Sequence, residues 1–135
     1  MKQTRAALSR LEKSARRAAG AAYAPYSKFS VGAAVLTRSG KIFSGCNVEN
    51  ASYGLCMCAE RAAIFASVAA GEREISAVAV YTPTAAPTSP CGACRQVINE
   101  FGPDALVISV CDSRKRLEVS VEKLLPAAFG PANLR

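Results

Sequence analysis

Two short stretches, Cys58-Ala59-Glu60 and Pro90-Cys91-Gly92-Ala93-Cys94, decide the fold and the chemistry that this sequence predicts. Cys58 and Cys91 are 33 positions apart, and each stands where a loop-like segment gives way to a helix-forming one. Cys91 and Cys94 are three positions apart, so their side chains share one face of the first helical turn. Because helix N-termini stabilise negative charge and lower thiol pKa values, the pattern indicates three thiolates at two helix ends. Such a set of sulfur atoms suits zinc.

The number of cysteines distinguishes the possible kinds of site. A structural zinc site has four protein ligands, whereas a catalytic site has three and leaves a position for water. We predict that Cys58, Cys91 and Cys94 bind one zinc ion per chain with that position open. Cys56 as a fourth ligand would instead make a structural site, and a redox-active pair of Cys91 and Cys94 is a further alternative. Neither alternative accounts for an acid placed two positions after a ligand.

That acid, Glu60, is our candidate proton carrier. The chain contains no histidine, so a group that moves protons near neutral pH must be another titratable side chain. Glu60 follows Cys58 at a helix N-terminus, from which its carboxylate could reach a water molecule on the metal. The alternative is a solvated glutamate on the helix surface. A cysteine ligand, a glutamate that is not a ligand and a later Pro-Cys-x-x-Cys is the arrangement described for zinc deaminases.

The remaining sequence predicts one α/β domain spanning residues 1–135, with a sheet covered by helices on both faces. Apolar residues at helical spacing, β-branched runs and Gly/Pro breaks define the elements. In chain order these are a helix over 4–22, strands over 31–38 and 41–46 around Ser39-Gly40, a helix over 58–70 capped by Gly71, a strand over 75–81, a loop over 82–90, a helix over 91–101, a strand over 105–111, a short strand over 117–119 and a short helix over 121–125.

The charge pattern is compatible with nucleic-acid binding but does not favour it. The formal net charge is +7, and basic residues cluster in the first predicted helix and over residues 114–116. Neither cluster has interleaved aromatic residues on which bases could stack. We therefore interpret the charge as a basic, solubilising surface and expect no nucleic-acid partner.

The distribution of apolar residues also gives an expected location. No apolar run approaches the ~20 residues that a membrane helix requires. Residues 1–17 place charges among their apolar residues, unlike the apolar core of a signal peptide. We expect a cytoplasmic protein that does not bind membranes, in which the six cysteines stay reduced.

At these residues the chain resembles the small homotetrameric zinc-dependent cytidine deaminases, over nearly its whole length. The zinc motifs alone define only the zinc deaminase superfamily. Two further segments, the one with Asn47 and Glu49 and the C-terminal one, narrow the resemblance to enzymes that act on nucleosides. The segments that carry it are Ala24-Pro25-Tyr26-Ser27-Lys28-Phe29, Gly45-Cys46-Asn47-Val48-Glu49-Asn50-Ala51, Cys58-Ala59-Glu60-Arg61, Ser89-Pro90-Cys91-Gly92-Ala93-Cys94-Arg95-Gln96, and Leu124-Leu125-Pro126 with Phe129.

The resemblance implies a three-layer α/β/α sandwich with a five-stranded mixed sheet. It also implies hydrolytic deamination of cytidine and 2′-deoxycytidine in pyrimidine salvage, by a homotetramer with active sites shared between subunits. Glu60 is then the proton shuttle, and Arg61 donates hydrogen bonds to the zinc thiolates. The residues implied to contact the nucleoside are Phe29 against the pyrimidine, Asn47 and Glu49 at the ribose 3′-hydroxyl, Ala51 and Tyr53 from a neighbouring subunit, and Phe129 from another subunit.

Several of these residues have simpler interpretations. Asn47 and Glu49 could be turn residues that satisfy local backbone groups. Phe29 could be a core aromatic, Phe129 could pack on its own domain, and Arg61 could lie on the helix surface.

Other functions also remain open. They are an adenosine or cytosine deaminase acting on RNA, a deaminase of a modified cytosine nucleoside, and a zinc-stabilised binding module. Binding of the ribose 3′-hydroxyl by Asn47 and Glu49 argues against the RNA enzyme, because an RNA strand that continues from the 3′-oxygen would have no path out of the site.

Overall fold

The computed structural model describes residues 3–135, and it contains every helix and strand that the sequence predicts. The predicted helix over 4–22 ends in a tighter 3-10 turn at Ala19–Ala21, and two further 3-10 turns, Tyr53–Leu55 and Pro131–Leu134, were not predicted. The helices and strands are α1 (Arg5–Ala18), β1 (Gly32–Thr37), β2 (Ile42–Cys46), α2 (Ala59–Ala69), β3 (Ile75–Tyr81), α3 (Gly92–Phe101), β4 (Leu106–Val110), β5 (Arg116–Ser120) and α4 (Val121–Leu124).

The five strands form one mixed sheet in the order β2-β1-β3-β4-β5. β1 pairs antiparallel with both β2 and β3, β3 pairs parallel with β4, and β4 pairs antiparallel with β5. A parallel pair requires a crossover connection, and here α3 supplies it between β3 and β4. The predicted five-stranded mixed sheet is therefore confirmed.

Alternating side chains of the central strands face two separate apolar cores. In β1, Ala33 and Val35 belong to the core beneath α2 and α3, whereas Ala34 and Leu36 belong to the core beneath α1. Successive strand residues point to opposite faces, so a strand buried on both sides is apolar throughout. The result is α1 on one face and α2, α3 and α4 on the other, which confirms the three-layer arrangement.

One close contact sets the position of α2. A Cβ atom on Gly45 in β2 would lie 2.5 Å from the backbone nitrogen of Ala63 and 2.8 Å from the carbonyl oxygen of Ala59. Only glycine allows the backbone of α2 to approach the strand this closely. The contact brings the N-terminus of α2, which begins after Cys58, beside the end of β2.

The predicted cap at the far end of α2 is also present. Gly71 has a φ of +86°, in the left-handed region that favours glycine, and its N–H donates to the carbonyl of Val68.

No helix within residues 3–135 has both the length and the apolar character needed to cross a lipid bilayer.

Candidate metal centre and its cavity

Three sulfur atoms converge at one point of the structure. The Sγ atoms of Cys58, Cys91 and Cys94 all lie within 4.8 Å of one another, and those of Cys58 and Cys91 are 3.8 Å apart. Tetrahedral zinc with Zn–S bonds of ~2.3 Å places its sulfur ligands about 3.8 Å apart. The three side chains therefore fit one zinc ion, as the sequence predicts.

Two helix N-termini point their positive ends at this cluster. Cys58 is the N-cap residue of α2 and Cys91 is the N-cap residue of α3, and neither side chain makes a capping hydrogen bond. Cys94 is buried in the first turn of α3. Because the free N–H groups at a helix start carry partial positive charge, both ends favour thiolates at these positions.

The cluster also shares protons internally. A hydrogen bond from the Cys94 thiol lowers the pKa of Cys58 to about 5, with a further contribution from Arg61. The same hydrogen bond, together with burial, raises the pKa of Cys94. Metal ligands must be deprotonated, so zinc binding would displace the shared proton.

Arg61 supplies the positive charge that three thiolates require. Its Nη2 donates to the sulfur of Cys58 at 3.3 Å, and this hydrogen bond raises the pKa of Arg61. The Nε of Arg61 is buried and has no hydrogen-bond partner among residues 3–135. These contacts place Arg61 at the sulfur cluster rather than on the outer surface of the helix.

The remaining cysteines lie outside this cluster. In the part of the chain that the structure describes, the group able to hold a metal consists of Cys58, Cys91 and Cys94 alone. The sulfur of Cys56 instead accepts the N–H of Asn50 at 3.3 Å. All six cysteines are free, so Cys91 and Cys94 do not form a disulfide. Because Cys58 joins Cys91 and Cys94 in one cluster and Cys56 does not, the arrangement favours an open three-ligand site over both a closed structural site and a redox pair.

A cavity of about 280 Å³ opens beside the sulfur cluster, and Glu60 lies in its wall. Glu60 is only 5% exposed, and burial raises the pKa of its carboxyl to about 7, with the negative charge on Cys58 adding to the effect. A bound cation would oppose this increase. The other cavity-lining residues are Phe29, Val31, Asn47, Glu49, Cys56, Met57, Cys58, Ala59, Val80, Thr82, Thr88, Ser89 and Cys91.

The segment with Asn47 and Glu49 is held between two other parts of the backbone. Val48 exchanges both backbone hydrogen bonds with Met57, at 3.0 and 2.9 Å. On the other side, the N–H of Tyr23 donates to the carbonyl of Asn47 and the N–H of Glu49 donates to the carbonyl of Tyr23. The side chains of Asn47 and Glu49 therefore keep a fixed position relative to Cys58, the residue after Met57.

Both side chains are also engaged with the loop before β1. Asn47 accepts the N–H of Val31 at 2.9 Å and donates to the carbonyl of Phe29 at 2.7 Å. Glu49 accepts from the N–H groups of Tyr26 and Ser27 and from the Ser27 hydroxyl, and the hydroxyl bond above all lowers the pKa of Glu49. Asn47 and Glu49 therefore do satisfy local backbone groups, which is one of the two roles that sequence analysis left open for them. The Asn47 amide and the Glu49 carboxylate can each form further hydrogen bonds. An amide offers two donors and two lone pairs, and a carboxylate offers about four acceptor sites.

Phe29 lies at the cavity rather than in either core. It follows Lys28, whose φ of 61° is in the left-handed region that lysine rarely adopts. The N–H of Phe29 donates to the Ser27 hydroxyl, which also contacts Glu49. The loop is thus fixed in a conformation that turns Phe29 toward the cavity.

Three predicted contact residues do not line this cavity. Ala51 is exposed, and Tyr53 is 73% exposed and packs edge-on against Tyr26 in an adjacent depression. Phe129 is 58% exposed, and its carbonyl accepts from Gln96. The chain's own cavity is therefore lined by Cys58 and Cys91 of the sulfur cluster together with Glu60, Phe29, Asn47 and Glu49, but not by Ala51, Tyr53 or Phe129.

Sequence patterns did not identify the wall formed by the end of β3 and the loop that follows. Thr82, Thr88 and Ser89 line the cavity there, and the hydroxyl of Thr82 contacts those of Thr84 and Thr88. The prolines of residues 82–90 predict a loop and nothing more. The position of this loop, after the carboxyl end of a strand in a parallel pair, is the signal that could have identified it.

Comparison with known proteins gives consistent results. Residues 5–110 match the family described as the cytidine and deoxycytidylate deaminase zinc-binding region. The chain is 48% identical over 114 residues to a cytidine deaminase of Sporosarcina psychrophila, and the match covers 84% of each protein. It is 44% identical over 120 residues to a cytidine deaminase of Mycobacterium tuberculosis, and that match covers 89% of this chain and 87% of the relative. A crystal structure of cytidine deaminase from Burkholderia pseudomallei superposes with a TM-score of 0.86 at 50% identity, covering 94% of this chain and all of that one.

The geometry of the sulfur cluster predicts the effect of two cysteine substitutions. Cys94→Ser should abolish stoichiometric zinc binding, because it removes a buried ligand. Cys56→Ser should retain one zinc per chain, because the Cys56 sulfur contacts Asn50 and not the cluster. Metal analysis of the purified variants, with circular dichroism as a check on folding, would measure both. Zinc loss in the Cys56 variant would indicate a closed four-cysteine site instead.

Proposed function

The chain belongs to the family of zinc-dependent cytidine deaminases, and from this membership we propose that it hydrolyses cytidine and 2′-deoxycytidine to uridine and 2′-deoxyuridine with release of ammonia. The observation that carries the proposal is a three-cysteine cluster beside one cavity that is lined by a buried glutamate and by the Asn47/Glu49 pair. We further propose that residues 1–135 form one domain and that the enzyme serves pyrimidine salvage in the cytoplasm.

Cys58, Cys91 and Cys94 would hold the zinc ion, with Arg61 and the two helix N-termini offsetting the negative charge of the thiolates. Held by these three residues, a zinc ion would supply an activated water molecule for attack at C4 of the cytosine ring. In the overall reaction the C4–N bond breaks, a C4–O bond forms, and the amino group leaves as ammonia.

Glu60 would carry the protons that this exchange requires. Its carboxylate takes a proton from the attacking water, delivers it to ring nitrogen N3 and relays another to the departing amino group. Glu60 is buried in the cavity wall, two residues after Cys58, where bulk water does not compete for these transfers. A carboxyl group beside N3 and the amino group also selects cytosine over uracil, because uracil presents a different pattern of donors and acceptors there.

Asn47 and Glu49 would bind the ribose 3′-hydroxyl with the hydrogen-bonding capacity that their local contacts leave free. Phe29 would pack against the pyrimidine from the same loop. When the 3′-hydroxyl is bound in this way, the site leaves no path for a nucleic-acid strand that continues from the 3′-oxygen. This supports a free nucleoside as the substrate, rather than RNA or DNA.

The group of basic residues on α1 lies away from this cavity. α1 carries five of the seventeen lysines and arginines and covers the opposite face of the sheet, and Arg116 is paired with Glu12 and Glu118. This placement supports a nucleoside enzyme without a nucleic-acid partner.

We also propose a homotetramer in which neighbouring subunits complete each active site. Ala51, Tyr53 and Phe129 would supply substrate contacts in trans. Their exposure in the single chain, and their positions outside its own cavity, support this arrangement.

The proposed site predicts a defined substrate range. Cytidine and 2′-deoxycytidine should release ammonia, and a chelator should abolish the release. Cytidine 5′-monophosphate and single-stranded oligonucleotides should react little, because no phosphate-binding glycine-rich loop is evident in the sequence. A coupled ammonia assay over the four substrates would test this. Equal turnover of an internal cytosine in single-stranded DNA would contradict the proposal.

Glu60→Gln separates proton transfer from metal binding. Glutamine keeps the size of the side chain and can accept a hydrogen bond, but it cannot carry a proton. Because one residue serves several transfers, kcat should fall by about 10⁴-fold, the upper end of the range for general acid–base catalysis. Zinc content should stay at one per chain, since Glu60 is not a ligand. A variant that retains a tenth of the native kcat would show that another group moves the protons.

Shared active sites predict complementation between inactive variants. Phe129→Ala should have weak activity and Glu60→Gln almost none, but hetero-oligomers formed by co-expression should regain activity. Some of their sites combine Glu60 of one chain with Phe129 of another. The matched control combines Glu60→Gln with Cys94→Ser, because both changes damage the chain's own cavity and mixing cannot restore it. Absence of recovery in the first mixture, or an active monomer in sedimentation, would contradict sharing.

A further inference from the structure

Cys91 is the zinc ligand whose position depends most on a loop. Cys94 is buried inside α3, whereas Cys91 is exposed at the first position after the segment 82–90. That segment contains three prolines and no regular secondary structure. Its conformation therefore determines where the Cys91 sulfur lies relative to the sulfur of Cys58, 3.8 Å away.

The early part of this loop is anchored to the segment after β4. The N–H of Asp112 donates to the carbonyl of Thr84 at 2.8 Å, and the hydroxyl of Ser113 donates to the carbonyl of Ala85 at 2.6 Å. These contacts end well before Cys91, so the residues that lead directly into the ligand need a separate anchor.

Arg95 provides that anchor. Its Nε donates to the carbonyl of Pro90 at 2.7 Å, and its Nη2 donates to the hydroxyl of Ser89 at 3.2 Å. Pro90 has no N–H, so its carbonyl is the only backbone group through which it can be held. That carbonyl belongs to the peptide that joins Pro90 to Cys91. Within residues 3–135, no other side chain hydrogen-bonds to Ser89 or Pro90.

The third hydrogen bond of Arg95 connects the loop to a fixed part of the fold. Nη1 donates to the carbonyl of Leu124 at 2.9 Å, at the C-terminal end of α4. α4 is itself held in place, because Val121 is buried and its N–H donates to the carbonyl of Ala105 beside β4. One half-buried guanidinium thus connects the ligand loop, α3 and α4.

We propose that Arg95 is a positioning residue that fixes the peptide before Cys91 and thereby sets the zinc affinity of the site. The inference rests on the proposed function in one respect, namely that the three cysteines hold zinc. The planar guanidinium, with its fork of donors, suits three acceptors in different directions. A lysine at this position would keep the charge but could not hold the three acceptors in the same geometry.

Zinc release measures this role without reference to catalysis. Zinc-loaded Arg95→Lys and Arg95→Met should release zinc to a chromogenic chelator about tenfold faster than the native protein, since outer partners of metal ligands typically contribute ~10–100-fold in affinity. The gain in Tm on adding zinc to the metal-free protein should shrink in both variants. If Arg95→Met does not fold, Arg95→Lys decides the outcome.

Two control variants test whether the effect is specific. Gln96→Met removes a neighbouring α3 side chain that donates to the carbonyl of Phe129, and Arg38→Lys changes an exposed arginine paired with Glu74. Both should release zinc at the native rate. Native release from Arg95→Lys, or equally fast release from Gln96→Met, would overturn the proposal.

The proposed function is checked separately in the same experiment. If the native protein neither retains zinc nor deaminates cytidine, the proposed function fails. If the native protein does both and Arg95→Lys releases zinc at the native rate, only the role of Arg95 fails.

Discussion

Three sulfur atoms have to meet at one point although they come from two helices that are separated along the chain by a strand and a loop. Cys58 and Cys91 each precede a helix, so the requirement fixes where α2 and α3 begin and how both lie on the same face of the sheet. Gly45 permits the close contact of α2 with β2, and α3 forms the crossover to β4. The positive ends of both helices then lie where the thiolates concentrate negative charge. The sheet order and the two cores serve to keep these two helix starts together.

The sequence predicted the elements well because its local signals agree with one another. The run from Ile75 to Tyr81 is mainly apolar, as expected of a strand such as β3 that is largely buried on both faces, and Gly71 ends α2 with the conformation expected of a C-terminal cap. The ligands were predictable because three cysteines at two helix starts, in a chain without disulfides, are typical of a metal site. The two unpredicted 3-10 turns, Tyr53–Leu55 and Pro131–Leu134, are short segments with no periodic pattern.

What sequence spacing could not reveal was the hydrogen bonding that holds the site together. Nothing local indicates that Arg95 reaches the carbonyls of Pro90 and Leu124, because the second is 29 positions away and meets it only in the folded chain. The same holds for Asn47, whose amide joins two residues of the loop before β1. Backbone carbonyls carry no sequence signature, so side chains that bind them are found only once the fold is known. For Asn47 and Glu49, the local hydrogen bonds leave donors and acceptors free and so remain compatible with the proposed contact to a ribose hydroxyl.

The local hydrogen bonds of Asn47 and Glu49 also bear on how the cavity would recognise the proposed nucleoside. Each side chain is already held by backbone groups, so binding a hydroxyl with the remaining donors and acceptors requires little ordering of the side chain. The same reasoning applies to Phe29, which the left-handed conformation at Lys28 keeps turned to the cavity. This wall of the cavity is preorganised by the chain itself. Tyr53 and Phe129, by contrast, are aromatic residues without an enclosing core, and a neighbouring subunit would provide the apolar contacts that the single chain does not.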